Sequence, residues 1–234
     1  GGRYSIWSPI SLPAILELGN DFLGFLKGGG EADNQLLYDA EYKNFIKTLS
    51  FSDLWYSNFM HKETRVLLTY SWKMRFLKDY VQQLEMESLG KQPNKNSIFQ
   101  KTGQIVFGGF GSTAQHSYFQ LLHQGTSSLC ADIFTFEDYK DKNQLLFAQS
   151  QAQANLLADG DNTNLKDHAK VNSNIPTNLF SLKTLNPFNL GYLIASWEHR
   201  TFVTSQMLEI NPFDQYGVSA GKFFTNKYID ENSC

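Results

Sequence analysis

Apolar residues recur every three or four positions through most of this chain, and short apolar runs break that rhythm in its middle third. Helical spacing covers Ser11–Leu18 and Phe22–Lys27, with Asn20 or Asp21 as an N-cap and Gly28-Gly29-Gly30 as a stop. Further helical patterns occupy Glu31–Ile46 and Ser52–His61. The texture then alternates. Val66–Tyr70, Gln104–Phe107 and Leu129–Phe136, the last with Asp132 inside it, read as strands. They are followed by helices over the segment around Asp79–Ser88, over Ala114–His123 and over about Lys140–Ala158. Strand and helix in alternation imply βαβ units with right-handed crossovers, a parallel sheet covered on both faces and extra helices at both ends. Asp159–Pro176 is polar and reads as a surface loop, Pro187–Glu209 as a long buried helix. A final helix runs from Phe213 to Tyr228, with Asn211 as cap and Pro212 in its first turn.

The stretch Asp79–Ser88 carries the first candidate chemistry. Leu77, Val81, Leu84 and Ser88 define its inner face by their three- and four-residue spacing. At roughly 100° per residue, Gln83 and Glu87 lie about 40° apart on one face, and Glu85 points to nearly the opposite side. An amide and a carboxylate thus share a face, which for an isolated pair is most simply a solvated stripe.

Composition narrows the field. The 234 residues include 19 Phe and 11 Tyr, enough for a sizeable core, and 20 basic against 23 acidic residues leave a net charge of -3 without a block of like charge. Nucleic acid and anionic membrane are therefore poor partners. No run approaches the roughly 20 apolar residues of a membrane span. The cysteines, Cys130 and Cys234, have no metal-ligand spacing and fit a reducing cytoplasm. The opening Gly1-Gly2-Arg3-Tyr4-Ser5 lacks a methionine, and the expectation is a piece of a longer chain.

Gly109-Phe110-Gly111-Ser112-Thr113-Ala114 matches the G-x-G-x-x-A form of a dinucleotide turn between strand and helix, with Asp132 about 20 positions on. Glycines at such a turn are equally what a tight connection requires. His116 falls in the first turn of the expected helix, where the dipole favours a neutral imidazole, and His123 shares its face two turns later, near the helix end. Gln215 and Lys222 lie seven residues apart on the last helix, and Gly217 and Gly221 suggest close approach by another element that would partly bury Lys222. No His, Cys or carboxylate set has metal spacing, and no G-x-S-x-G elbow is present.

Taken together and in order, five segments resemble the motifs of the glucose-6-phosphate isomerase family. They are Gly1–Ser8, Gln82–Ser88, Gly111–His116, Leu121–Thr126 and Phe213–Lys222. The resemblance implies a three-layer α/β/α sandwich of the sugar-isomerase (SIS) type. Residues 1–234 would be its C-terminal domain with a helical extension, and an N-terminal domain carrying a Ser/Thr-rich phosphate loop would lie outside them. It implies Glu87 as catalytic base, with Gln83 as a substrate contact, Arg3 near the reacting carbons, His116 contributed to the neighbouring subunit of a dimer, and Gln215 and Lys222 as the pair on the last helix. No cofactor or metal is implied; the partners are a sugar phosphate, a second copy and the N-terminal domain. The usual Gly-Thr-Asn-Gly-Gln-His appears as Gly111–His116 with Ser112-Thr113-Ala114 inside it, and an arginine usual in the family is replaced in Ser173-Asn174-Ile175-Pro176-Thr177-Asn178. A dinucleotide-dependent oxidoreductase and a non-catalytic sugar-phosphate-binding module are the alternatives.

Overall fold

The computed structural model describes every residue but Gly1, Asn20, Glu41, Tyr42, Asn162, Asn164, Leu165, Ser233 and Cys234, and leaves out the side chain of Leu18. Three helices open the chain: α1 (Leu12–Leu18), α2 (Asp21–Tyr38) and α3 (Phe45–Asn58). Alternation follows, with β1 (Thr64–Thr69), α4 (Leu77–Leu89), β2 (Ile105–Phe110), α5 (Gly111–Ala114), α6 (Phe119–Gln124), β3 (Leu129–Phe136), α7 (Tyr139–Lys142) and α8 (Gln144–Asp159). β4 (Thr177–Leu182), α9 (Pro187–Met207) and α10 (Tyr216–Asn232) complete the chain.

The four strands form one parallel sheet in the order β2-β1-β3-β4. β1 and β3 lie in the centre and are buried almost throughout, so their runs are apolar rather than alternating. Successive side chains of β1 enter different layers: Val66 and Leu68 pack with Ala114, Phe119, Leu122 and Leu157, whereas Leu67 packs with Val81, Leu84 and Trp197. Helices therefore cover both faces, with α5, α6 and α8 on one and α4 and α9 on the other.

A buried ionic cluster ties these layers together. Arg65 of β1 pairs with Glu85 of α4 and, at 2.8 Å, with Asp53 of α3. Arg200 of α9 pairs with Asp53 and, at 2.9 Å, with Asp132 of β3, which also accepts from Asn178 of β4 at 2.8 Å. Trp197 donates to Glu85 at 3.0 Å. Five elements thus share one set of charges whose separation in a low-dielectric interior would be costly.

Several expected boundaries are corrected. The glycine triplet does not stop a helix: α2 runs through it to Tyr38, and the expected Glu31–Ile46 helix is its second half followed by a break before α3. A Cβ on Gly28 would collide with the Phe188 carbonyl of α9, one on Gly191 with the Phe25 carbonyl, and one on Gly29 with the Trp7 ring. These glycines bring two helix backbones into contact. Asn20 lies outside the described residues, and Asp21 opens α2. The expected Ser52–His61 helix begins earlier, at Phe45, capped by Asn44, which accepts from the Lys47 N–H at 3.1 Å. The Lys140–Ala158 helix is divided at Asn143, whose non-helical backbone ends α7 and whose side chain caps α8. The Ala114–His123 helix is divided too, at a turn that sets Tyr118 edge-on to Phe107, centroids 5.1 Å apart. β4 falls in a segment read as part of no element, because its Thr, Asn and Ser positions disguise a half-solvated edge strand. The last helix starts at Tyr216 rather than Phe213; Asn211 accepts from the Phe213 N–H at 3.0 Å in a turn before it. Among the described residues, no helix is long and apolar enough to cross a membrane.

Candidate active site

α4 follows β1 on a crossover that returns its C-terminal end to the start of β2. There Gln82 donates to the Val106 carbonyl at 2.7 Å and Met86 accepts from the Val106 N–H at 3.5 Å. The inner face is the one the spacing defines, with Val81, Leu84 and Ser88 buried. Glu85 points into the ionic cluster, 3% exposed, and Glu87 points outward.

Arg3 meets that outward face. Its chain segment is a short 3₁₀ turn, Gly2–Tyr4, and the guanidinium is buried. Nε donates to Ser88 Oγ at 2.9 Å, Nη1 to Gln215 Oε1 at 3.1 Å, and Nη2 to the carbonyls of Pro212 at 2.5 Å and Asp214 at 2.9 Å. Nη1 also lies 3.2 Å from Glu87 Oε1, and Gln83 donates to Glu87 Oε2 at 3.2 Å. Arg3, Gln83, Glu87 and Gln215 thus form one constellation built from the chain's start, α4 and the segment before α10. It borders a cleft of about 790 Å³ lined by Met86, Glu87, Lys91, Asp214, Gln215 and Tyr216 among others.

Behind it stands Glu198 of α9, which accepts from Trp7 Nε1 at 2.6 Å and from the Tyr80 hydroxyl at 3.0 Å. Burial pushes its carboxyl above the usual range, against the lowering effect of those two donors. Burial likewise raises the Tyr4 hydroxyl, which shares a hydrogen bond of 3.1 Å with Ser88. These contacts pin the segment carrying Arg3 to α4 and α9.

Two expected site residues stay apart from the constellation. His116 is exposed in the turn between α5 and α6, its N–H bonded to the Thr113 carbonyl, so the dipole of a helix start does not act on it and it shares no helix with His123. It follows the end of β2 and α5, whereas Glu87 lies beside the start of β2, so the two flank opposite ends of a strand roughly 17 Å long. Lys222 is exposed, about 9 Å along α10 from its first residue. No residue of α10 is buried and nothing lies within 4 Å of a Cβ on Gly217 or Gly221, so close approach and burial of Lys222 are not found among the described residues. Gln215 precedes α10. His123 pairs with Gln153 at 2.8 Å and stacks edge-on to Phe119.

In the dinucleotide turn, packing accounts for Gly111, which lies against the Tyr70 ring, whereas a Cβ on Gly109 would meet only the Tyr118 hydroxyl at 3.5 Å. Just before the turn, Gly108 has φ +155° and its Cβ would strike the backbone of Leu67. Asp132, 1% exposed, is committed to Arg200, Arg65 and Asn178. Burial acts to raise its carboxyl, but the two guanidinium charges and the amide outweigh this and hold it below the usual carboxylate range.

Lys91 and Asp214 went unnoticed in the sequence. The available signal was a lysine one residue past the glycine that ends a helix, a common partner of terminal carbonyls.

A parallel α/β/α sheet with a carboxylate, two amides and a guanidinium gathered at a polar cleft defines an α/β protein of the sandwich class. Comparison with known proteins gives the family: the phosphoglucose isomerase profile matches residues 1–233, and the chain belongs to that family. Glucose-6-phosphate isomerase 2 of Neisseria meningitidis is 36% identical, with 99% of this chain and 46% of that protein covered. The glucose-6-phosphate isomerase of a Shewanella species is 38% identical, covering 98% and 47%. The crystal structure of a glucose-6-phosphate isomerase from Chlamydia trachomatis superposes with a TM-score of 0.88 at 29% identity, over 100% of this chain and 48% of the other. A hypothetical protein from Thermus thermophilus, 23% identical with a TM-score of 0.81 over 98% of this chain and 55% of that one, shares the fold. The chain spans about half the length of the curated relatives it matches.

Proposed function

We propose that this chain is the C-terminal sugar-isomerase domain, with α10 as its extension, of a cytoplasmic, dimeric glucose-6-phosphate isomerase that interconverts glucose 6-phosphate and fructose 6-phosphate. The observation that carries the reading is the Glu87 carboxylate, one oxygen against Arg3 and the other against Gln83, at the border of an open cleft.

Aldose–ketose interconversion needs one base to remove a proton from C2 and return it to C1. Glu87 has that role, with Gln83 fixing its orientation. The cis-enediolate between the two transfers carries a negative oxygen. Arg3 offers it a fixed positive charge through Nη1, the nitrogen that Glu87 and Gln215 now share. Gln215 contacts the sugar. His116 and Lys222 move protons between ring oxygen and hydroxyl when the ring opens. The separation of His116 from Glu87 within one chain supports a shared site, in which the second copy supplies the histidine. The relatives' additional length supports an N-terminal domain that supplies the phosphate-binding loop. The proton transfers themselves require no cofactor.

The test is an isomerase assay on a protein that joins this chain to the remaining length of its relatives. Turnover of both hexose phosphates is expected, and Glu87→Gln should lower kcat by about 10³-fold or more. A wild-type protein that binds hexose phosphate without turnover would make the chain part of a non-catalytic module. A fully active Glu87→Gln would remove Glu87 from the role of base.

A further inference from the structure

Gly90 ends α4, its N–H bonded to the Met86 carbonyl at 3.0 Å, and the next side chain folds back over the helix end. Lys91 Nζ donates to the Glu87 carbonyl at 3.0 Å, pairs with the Asp214 carboxylate at 2.9 Å and donates to the Asp214 carbonyl. An ammonium has three protons, and these three acceptors occupy them. The first contact alone would serve as a helix cap. The other two reach a segment 123 residues away that the cap does not require. That segment carries Gln215, and the same Asp214 carbonyl also accepts from Arg3 Nη2 at 2.9 Å. Two cations, one from the chain's start and one from the end of α4, thus converge on a single carbonyl adjacent to Gln215. Beyond it, α10 buries no residue against the rest of the chain.

We propose that Lys91 and Asp214 are positioning residues, a latch that sets Gln215 at its distance from Glu87; the proposal rests on the isomerase reading of the site. Lys91 has no proton left for a substrate, so it acts through Gln215 rather than on the sugar. Opening the latch leaves Glu87, Gln83 and Arg3 in place and leaves the backbone beside Gln215 held by Arg3 without its second cation, which loosens the segment 211–215, so substrate binding suffers more than the chemical step.

The experiment uses the protein that joins this chain to its relatives' remaining length. Lys91→Met is expected to raise KM for fructose 6-phosphate roughly tenfold and to lower kcat by less than about threefold. Lys91→Arg, which can still reach carbonyl and carboxylate, should restore KM to within about twofold of wild type. In a Gln215→Leu background, Lys91→Met should add no further rise in KM, because the two act as one unit. Amide exchange across 211–217 should quicken in Lys91→Met. A folded Lys91→Met with unchanged KM and unchanged exchange overturns the proposal, as does a full additional KM rise in the Gln215→Leu background. If Lys91→Met does not fold, Asp214→Asn takes its place, with a KM rise of about threefold expected and an unchanged KM overturning the latch. A wild-type protein without turnover defeats the isomerase reading alone, since the exchange comparison still decides the latch.

Discussion

Glu85 and Glu87 stand two residues apart on one helix and face opposite fates. Glu85 is enclosed with Arg65 and Trp197, and Glu87 borders the cleft with Arg3 and Gln83. The spacing of Val81, Leu84 and Ser88 was enough to separate them, because a helix of known pitch assigns a face to every position. Their substitutions should therefore diverge. Glu85→Gln is expected to cost about 3 kcal/mol of stability, since it leaves Arg65 short of a buried partner, while retaining isomerase turnover in the folded fraction. Glu87→Gln should unfold at nearly the wild-type urea midpoint and lose turnover. Arg3 belongs to both classes: its fork reaches Ser88, Gln215, Glu87 and two carbonyls, a span a single ammonium cannot cover. Arg3→Lys should lower stability by about 2 kcal/mol in urea titration, as charge-assisted hydrogen bonds are lost. The meeting of Arg3 with α4 was not readable from spacing. It joins residues 84 and more positions apart, and only the resemblance to a family placed them in one site.

At the scale of elements, the central strands and the long helices were legible because burial on both faces or along one stripe leaves a period in the sequence. Glycine misled in both directions. Gly28-Gly29-Gly30 reads as a stop and is the place where α2 crosses α9, whereas Gly217 and Gly221 read as a crossing and meet nothing among the described residues. A residue without a side chain records that room or freedom is needed, not which of the two. The triplet offers a direct check. Gly28→Ala is expected to destabilise by about 3 kcal/mol, because the new methyl meets the Phe188 carbonyl on a neighbouring backbone. Gly30→Ala, with nothing within 4 Å, should be neutral or stabilise by up to about 1 kcal/mol through helix propensity. Thermal unfolding of the two variants side by side would decide this. Equal destabilisation would contradict the crossing.

For the whole molecule, two buried carboxylates pull stability in opposite senses as pH changes. Asp132 is held below the ordinary range, so its contribution is present above the unfolded value of about 4 and is lost as pH falls through the lower folded one. Glu198 is raised, so its contribution is present below about pH 4 and is lost as pH rises through its folded value. Glu198→Gln keeps an acceptor for Trp7 and removes the charge. It should therefore unfold at higher urea than wild type at pH 7, with the gain vanishing by pH 4. Asp132→Asn should lose about 3–5 kcal/mol at pH 7 and less as pH falls below about 4, where the contribution of the wild-type carboxylate is itself being lost. Urea midpoints across pH 3 to 7 give both slopes. A Glu198→Gln gain that is independent of pH would show that its charge has no part in the effect.

The two outer strands of the sheet are finished differently. On β2 the backbone of Val106 is occupied by the side chains of Gln82 and Met86, so a helix covers that rim. β4, Thr-Asn-Leu-Phe-Ser-Leu, carries neither charge nor proline and borders no further strand among the described residues, which makes it a template on which a foreign strand could add. The residues at its ends, Pro176 and Lys183, act as gatekeepers: one cannot donate to an added strand, and the other brings a charge to the edge. Replacing both with valine should leave the unfolding midpoint nearly unchanged and yet shorten the time to visible aggregation on warming. The hazard is then one of colloidal behaviour, set by the six residues of one edge strand.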